Sequence, residues 1–346
     1  MRGNEICRSS NRLLQFDLLK VFACFLVIWG HTIMHLYVPD YISNPIYRFI
    51  YSFHMSLFMM ISGLFASSAM NLDIKSFLIK KSKQLIYPCF VWGGIVLLFV
   101  YGYKVLEQGW PHATISVFLR DLYWYSDFWF LKSCFICYCL AYLGAKTKLK
   151  TWKWMTITLL LSQLIPVFQI PFMYPSFLMG MLLKNSKALL NYVIKYKYML
   201  FVLFVFMTLF WTKDVWIESH SMSALLKESK FVDMLMLRLF RLVIGLMGAL
   251  SFFAIWSSID ESKLTSNFVR RICDYGKYSL EIYIVHSVIF VEFVCKHISL
   301  VELNYLQFNL LVAPSISLFV LVVCYSFIAL LYRSKFISIL LFGRCL

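Results

Sequence analysis

Ionisable side chains inside an apolar helix are expensive, so those found there are the first candidates for chemistry. The densest set lies at 13–37, LLQFDLLKVFACFLVIWGHTIMHLY. Lys20 and His31 are eleven residues apart, which at 100° per residue puts them within about 20° of one helix face. Asp17 lies a turn before Lys20 and His35 a turn after His31, so the four form one polar stripe. Its rise from Lys20 to His31 is about 16 Å, roughly half the hydrocarbon core of a bilayer. A neutral histidine suits the removal of a proton from a hydroxyl near pH 7, and a lysine suits a phosphate or a developing oxyanion. The purely structural alternative has Lys20 snorkelling to an interface with Asp17 as its partner. His31, flanked by Trp29, Gly30 and Thr32, has no such simple role.

Further candidates follow along the chain. His54 lies in the next apolar run, YRFIYSFHMSLFMMISGLFAS, at a depth comparable with His31 if the two helices run antiparallel. Lys75, Lys80, Lys81 and Lys83 form a basic loop ending at Tyr87-Pro88, suited to a phosphate-rich ligand. Asp127, Trp129 and Lys132 open a later span, Arg238 and Arg241 share a face of another, and Glu281, Tyr283 and His286 lie in YSLEIYIVH. Lys132 apart, these seven are weaker candidates for substrate contact, since each can instead bond a neighbouring helix. His31 and His35 are the one i,i+4 histidine pair, which is poor support for a metal, and no metal is expected. Sequence signatures of a serine hydrolase, a P-loop or a zincin are missing.

The elements that must position these residues are helices in lipid. The chain has 346 residues, 61% of them hydrophobic and only 14% charged, with a mean hydropathy of +0.75. An ordinary soluble domain is about 25% charged. Ten continuous apolar runs are candidate spans: about 13–37, 46–70, 85–106, 125–145, 152–168, 172–186, 198–213, 232–257, 277–298 and 308–332. They are continuous rather than alternating, so the expected class is an all-α integral membrane protein and not a barrel. With the N-terminus inside, 22 of the 33 Lys and Arg fall on the inner side, 7 on the outer and 4 within spans. This bias predicts ten spans with both termini cytoplasmic. It also accounts for the net charge of +16 without nucleic acid as a partner. A single membrane domain over 1–346, with no soluble appendage, is expected.

Five stretches resemble the membrane-bound acyltransferase 3 family. Lys20 and His31 match its Arg/Lys-x10-His signature, preceded by Asp17-Leu18-Leu19. Phe53 to Gly63 resembles its Phe-His-Met-x-Leu-Phe-x-x-x-Ser-Gly block. The basic loop before Pro88 is similar to the family's Arg-rich segment, though with lysines in place of arginines, which weakens bidentate phosphate recognition. Asp127 to Leu131 and Ser279 to His286 resemble two further elements, while 145–275 matches little beyond hydrophobicity.

The resemblance implies a multi-pass enzyme of the bacterial inner membrane. Such an enzyme moves an acetyl group from acetyl-CoA to a sugar hydroxyl on a surface polysaccharide or lipid-linked glycan. His31 would be the general base, His54 its orienter or a second base, and Lys20 with Asp17 would complete the catalytic set. The lysines at 75, 80, 81 and 83 would gather the acyl-CoA. Two other classes fit the hydropathy: a membrane glycan polymerase, which should carry a large Arg-rich outer loop, and a polysaccharide transporter or flippase, which should show internal repeats. Neither feature is present in the sequence.

Overall fold

A computed structural model describes residues 14–37, 40–108, 117–118, 121–122, 128–165, 167–212, 215, 231–264, 266–295, 298, 300 and 303–344. Asp127 therefore lies outside the described residues, which contain helices and no strand. Helices α1 (Leu14–Leu36), α2 (Pro45–Leu64), α3 (Ser67–Met70), α4 (Ile74–Lys81) and α5 (Tyr87–Gln108) form the first part of the chain. Then come α6 (Trp129–Ala145), α7 (Thr151–Gln163), α8 (Ile170–Asn185), α9 (Lys187–Lys195), α10 (Lys197–Thr208) and α11 (Phe231–Ser257). The last are α12 (Asn267–Gly276), α13 (Ser279–Val285), α14 (Tyr305–Gln307), α15 (Ala313–Leu331) and α16 (Lys335–Phe342). Wider π-helical turns occupy Ser82–Ile86, His286–Val294 and Phe308–Val312.

Each of the ten predicted apolar runs contains helix in its described part. Among the described residues four helices are long and apolar enough to cross a membrane by themselves: Leu14–Leu36, Ile74–Gly102, Leu235–Ser257 and Tyr305–Leu331. The pair α9 and α10 makes a fifth if counted as one span bent by 66°. The runs at α6, α7 and α8 give helices of 17, 13 and 16 residues, shorter than the roughly 20 residues that a straight span needs.

Helix boundaries follow local chemistry. Asn44 caps α2 by accepting from the backbone N–H groups of Ile46 and Tyr47, and Pro45 follows at the first helical position. Ser186, Ser266 and Ser334 cap α9, α12 and α16 in the same way. α2 is the hub of the bundle, with α8 and α11 as its main neighbours. Its approach to α8 depends on Gly63 and Gly180, where an added Cβ would meet the Phe177 and Met60 carbonyls respectively. α1 lies against α2, α12 and α15, and the buried Thr32 and Ser317 hydroxyls meet at 3.1 Å across the α1–α15 contact. These contacts leave α1 with two distinct ends, called below the Asp17 end and the His35 end.

Candidate functional site

The His35 end of α1 borders a cavity of about 640 Å³ enclosed by α1, α2, α6, α8, α11 and the segment after α13. Histidines line it from two helices, His31 and His35 from α1 and His54 from α2, and His286 packs behind His31. His31 and His35 stack with ring centroids 5.6 Å apart, and His31 lies 5.3 Å from His286. Tyr51 stands between His31, at 6.5 Å, and His54, at 4.6 Å. Gly30 permits this, because a Cβ there would run into the Tyr51 ring.

The backbone fixes two of the imidazole tautomers. His54 Nδ1 lies 2.8 Å from the Ile50 carbonyl and His286 Nδ1 lies 2.9 Å from the Ile282 carbonyl. A carbonyl only accepts, so in each neutral ring Nδ1 carries the proton and Nε2 keeps its lone pair. His286 Nε2 and His31 Nδ1 are buried and have no hydrogen-bond partner, a state uncommon for buried polar atoms in native proteins. His286 also begins the π-helical turn. Such turns often mark functional sites, and this one brings Ser287, Val291 and Glu292 to the cavity wall beside Tyr283.

The far wall is cationic. Arg241 lies over the Phe172 ring at 4.2 Å and donates to Gln169 Oε1 at 3.0 Å. Phe168 and Gln169 both adopt positive φ, 52° and 58°, a costly conformation for non-glycine residues, and both line the cavity. Arg238 also lies over Phe172, at 5.7 Å, without lining the cavity. Lys132 lies over Phe168 at 5.4 Å, and Trp129 forms part of the wall.

Several predicted site residues lie elsewhere. Lys20 and Asp17 pair with each other at 3.1 Å at the opposite end of α1 and do not line the cavity. Glu281 is fully buried and accepts from Tyr332 at 2.8 Å and from Arg344 Nε at 2.7 Å, so it ties α13 to the C-terminal segment. The four lysines expected in a loop instead lie on α4 and the π-helical turn that follows it, and of these Lys75, Lys80 and Lys83 are exposed. Lys81 is instead turned inward, its Nζ 3.5 Å from the Tyr138 ring centroid and donating to Gln84 at 3.3 Å. Gly343 lies against the Lys83 carbonyl, so this segment borders the Glu281–Arg344 pair.

Sequence reasoning missed Tyr51, Gln169 and Ser287. Tyr51 and Ser287 stand close to candidate histidines in the chain, and a helical wheel of 47–64 places Tyr51 about 60° from His54. Gln169 had no signal beyond its place in a Pro-flanked turn. Among the described residues, no group of three His, Cys, Asp or Glu has a geometry that could hold a metal ion.

The profile of the acyltransferase 3 family, described as an acyltransferase domain, matches residues 13–332. Nodulation protein NolL of Mesorhizobium japonicum is 28% identical over 219 residues, covering 58% of this chain and 56% of that protein. Nodulation protein NolL of Sinorhizobium fredii is 26% identical over 199 residues, covering 54% of this chain and 52% of that protein. The chain thus spans about half the length of the curated relatives it matches. No solved structure matches.

Proposed function

This chain belongs to the acyltransferase 3 family, and we propose that it transfers an acetyl group from acetyl-CoA to a sugar hydroxyl of a surface polysaccharide or lipid-linked glycan. The observation that carries this reading is a cavity lined by His31, His35 and His54, with His286 packed against His31 and with His31 Nδ1 and His286 Nε2 unpaired. In a chain of this family, that arrangement favours acyl transfer over a glycan polymerase or a flippase, neither of which needs a cluster of unpaired imidazoles.

His31 is the general base. It takes the hydroxyl proton as the sugar oxygen attacks the thioester carbonyl, and later returns the proton to the leaving thiolate. His286 and Tyr51 hold the His31 ring in place, and His54 offers Nε2 as a second acceptor. Arg241, held by Gln169, faces the negative charge that develops on the carbonyl oxygen. Trp129 and Tyr283 supply flat walls for a sugar ring.

Lys75, Lys80 and Lys83 are exposed and free to meet the CoA phosphates, whereas Lys20 is paired with Asp17. The acyl-carrying arm then has to span the remaining length of α1, about 16 Å from Lys20 to His31. In the ten-span arrangement with both termini cytoplasmic, the donor enters from the cytoplasm. The histidine cavity then lies in the outer half of the bacterial inner membrane.

The test is incubation of purified protein with radiolabelled acetyl-CoA and an extract of lipid-linked glycans, beside His31→Ala at equal expression. Label in glycan with the wild type alone is expected. Equal transfer by His31→Ala removes His31 from the mechanism, and no transfer or acetyl-CoA binding by the wild type overturns the reading.

A further inference from the structure

α1 presents a second stripe, opposite its histidines. Leu18, Phe22, Phe25 and Trp29 recur at helical spacing over a rise of about 16 Å, and they line two shallow grooves. The groove nearer the Asp17 end, about 510 Å³, has Leu318 and Trp256 as its other wall. The groove nearer the His35 end, about 470 Å³, runs between α1, α2 and α10, with Ile46, Phe49 and Leu209 among its apolar walls.

Arg48 breaks this apolar pattern. It lines the second groove, and one guanidinium nitrogen donates to the Trp211 carbonyl at 2.8 Å. Its Nε is buried without a hydrogen-bond partner, as is Nε1 of Trp29 in the same groove. Among the described residues, no acidic side chain lines that groove. A guanidinium and an indole N–H, both short of acceptors and set at the head of an apolar trough, are matched by an anionic head on a long aliphatic chain. Phosphate oxygens suit the guanidinium, and charge-assisted bonds of this kind are the strong ones.

We propose that this groove binds the phosphate end of a single-chain lipid phosphate, the lipid anchor of the acceptor glycan, with its chain lying along the Leu18–Trp29 stripe. The identification with the acceptor rests on the acyl-transfer reading, whereas the lipid-phosphate site does not. Arg48 precedes His54 on α2 by six residues, a rise of about 9 Å. Trp211, whose carbonyl Arg48 holds, itself lines the histidine cavity. A sugar joined to a phosphate at Arg48 is therefore within short reach of His31 and His54. A trough along one helix face accommodates one chain rather than the two of an ordinary phospholipid.

The experiment measures binding of radiolabelled undecaprenyl phosphate to the purified full-length chain in detergent, for the wild type, R48Q and W29F. Undecaprenol, phosphatidylglycerol and inorganic phosphate serve as competitors. Saturable binding is expected, weakened about tenfold or more by R48Q and about threefold to fivefold by W29F. Undecaprenol and phosphatidylglycerol should compete at least tenfold less well than undecaprenyl phosphate. W29F keeps an aromatic side chain while removing the indole N–H, and it tests the groove independently should R48Q misfold. Wild-type binding by both variants overturns the proposal. Displacement by phosphatidylglycerol on equal terms overturns it in favour of an ordinary bilayer-lipid site, and displacement by inorganic phosphate in favour of a free-anion site. Acetyl transfer to a soluble oligosaccharide, assayed on the same preparations, keeps the two readings apart. If it persists while lipid binding fails, the groove is wrong and acyl transfer stands. If it is missing while lipid binding holds, the reverse is true.

Discussion

The two ends of α1 handle buried polarity in opposite ways. At the Asp17 end the charges are paired: Asp17 with Lys20, and Glu281, through Oε1 alone, with Arg344 and Tyr332, its Oε2 being buried without a hydrogen bond. At the His35 end, three imidazoles line a cavity, and one ring nitrogen of His31 and one of the adjoining His286 have no partner. Matched buried charges hold helices together, and removing one member leaves an uncompensated ion. Unmatched imidazoles contribute little to cohesion and are available to a substrate. In the proposed mechanism the difference gives cohesion mainly to one end and chemistry to the other, although both lie on the same stripe of the same helix.

The largest effect expected from this contrast is on turnover. His31→Ala should lower kcat by about 10²- to 10⁴-fold, the usual contribution of a general base, with little change in thermal stability. Steady-state transfer assays and a melting curve in detergent check both halves; a stability loss equal to that of the Asp17-end variants would erase the contrast.

Next in size is Arg344→Ala. It strands the fully buried Glu281 carboxylate and should destabilise the protein by about 3 kcal/mol or more. Adding Glu281→Gln should recover part of that loss, and a double-mutant cycle on detergent unfolding reads the coupling. Gly180→Ala should be smaller, about 1–3 kcal/mol, since α8 must move away from the Met60 carbonyl. It would also shift Phe172 and Met173 in the cavity wall, so a modest fall in kcat should accompany it. Smallest is the replacement of Lys75, Lys80 and Lys83 together by Gln. These exposed charges should raise KM for acetyl-CoA by roughly tenfold at most and leave kcat unchanged.

Much of this was legible in the sequence. Continuous apolar runs located the helices because burial in lipid demands them, and a period of 3.6 residues placed Asp17, Lys20, His31 and His35 on one face. That period says nothing about function along the axis, so Lys20 and His31 share a face yet serve different ends of the bundle. Helix length was harder to read: α7 stops at Gln163, short of the end of its apolar run, and the positive-φ pair Phe168-Gln169 leads the chain into α8.

Long-range partners were invisible. Nothing local to Glu281 marks Arg344, 63 residues later, as its partner. The π-helical turn after His286 could not be read from hydropathy, yet it selects Ser287 and Glu292 for the cavity wall. Arg48 gave no signal of its own in the sequence, where it counted only as an outer-loop charge.

The central claim is that chemistry resides at the His35 end and donor binding at the other. The most direct measurement is a single-turnover transfer rate with acetyl-CoA already bound, compared between wild type and His31→Ala, with donor affinity measured on the same samples. Transfer reduced by at least about 10²-fold with donor affinity unchanged is the predicted result. An unchanged transfer rate, or a loss explained entirely by weaker acetyl-CoA binding, would contradict it.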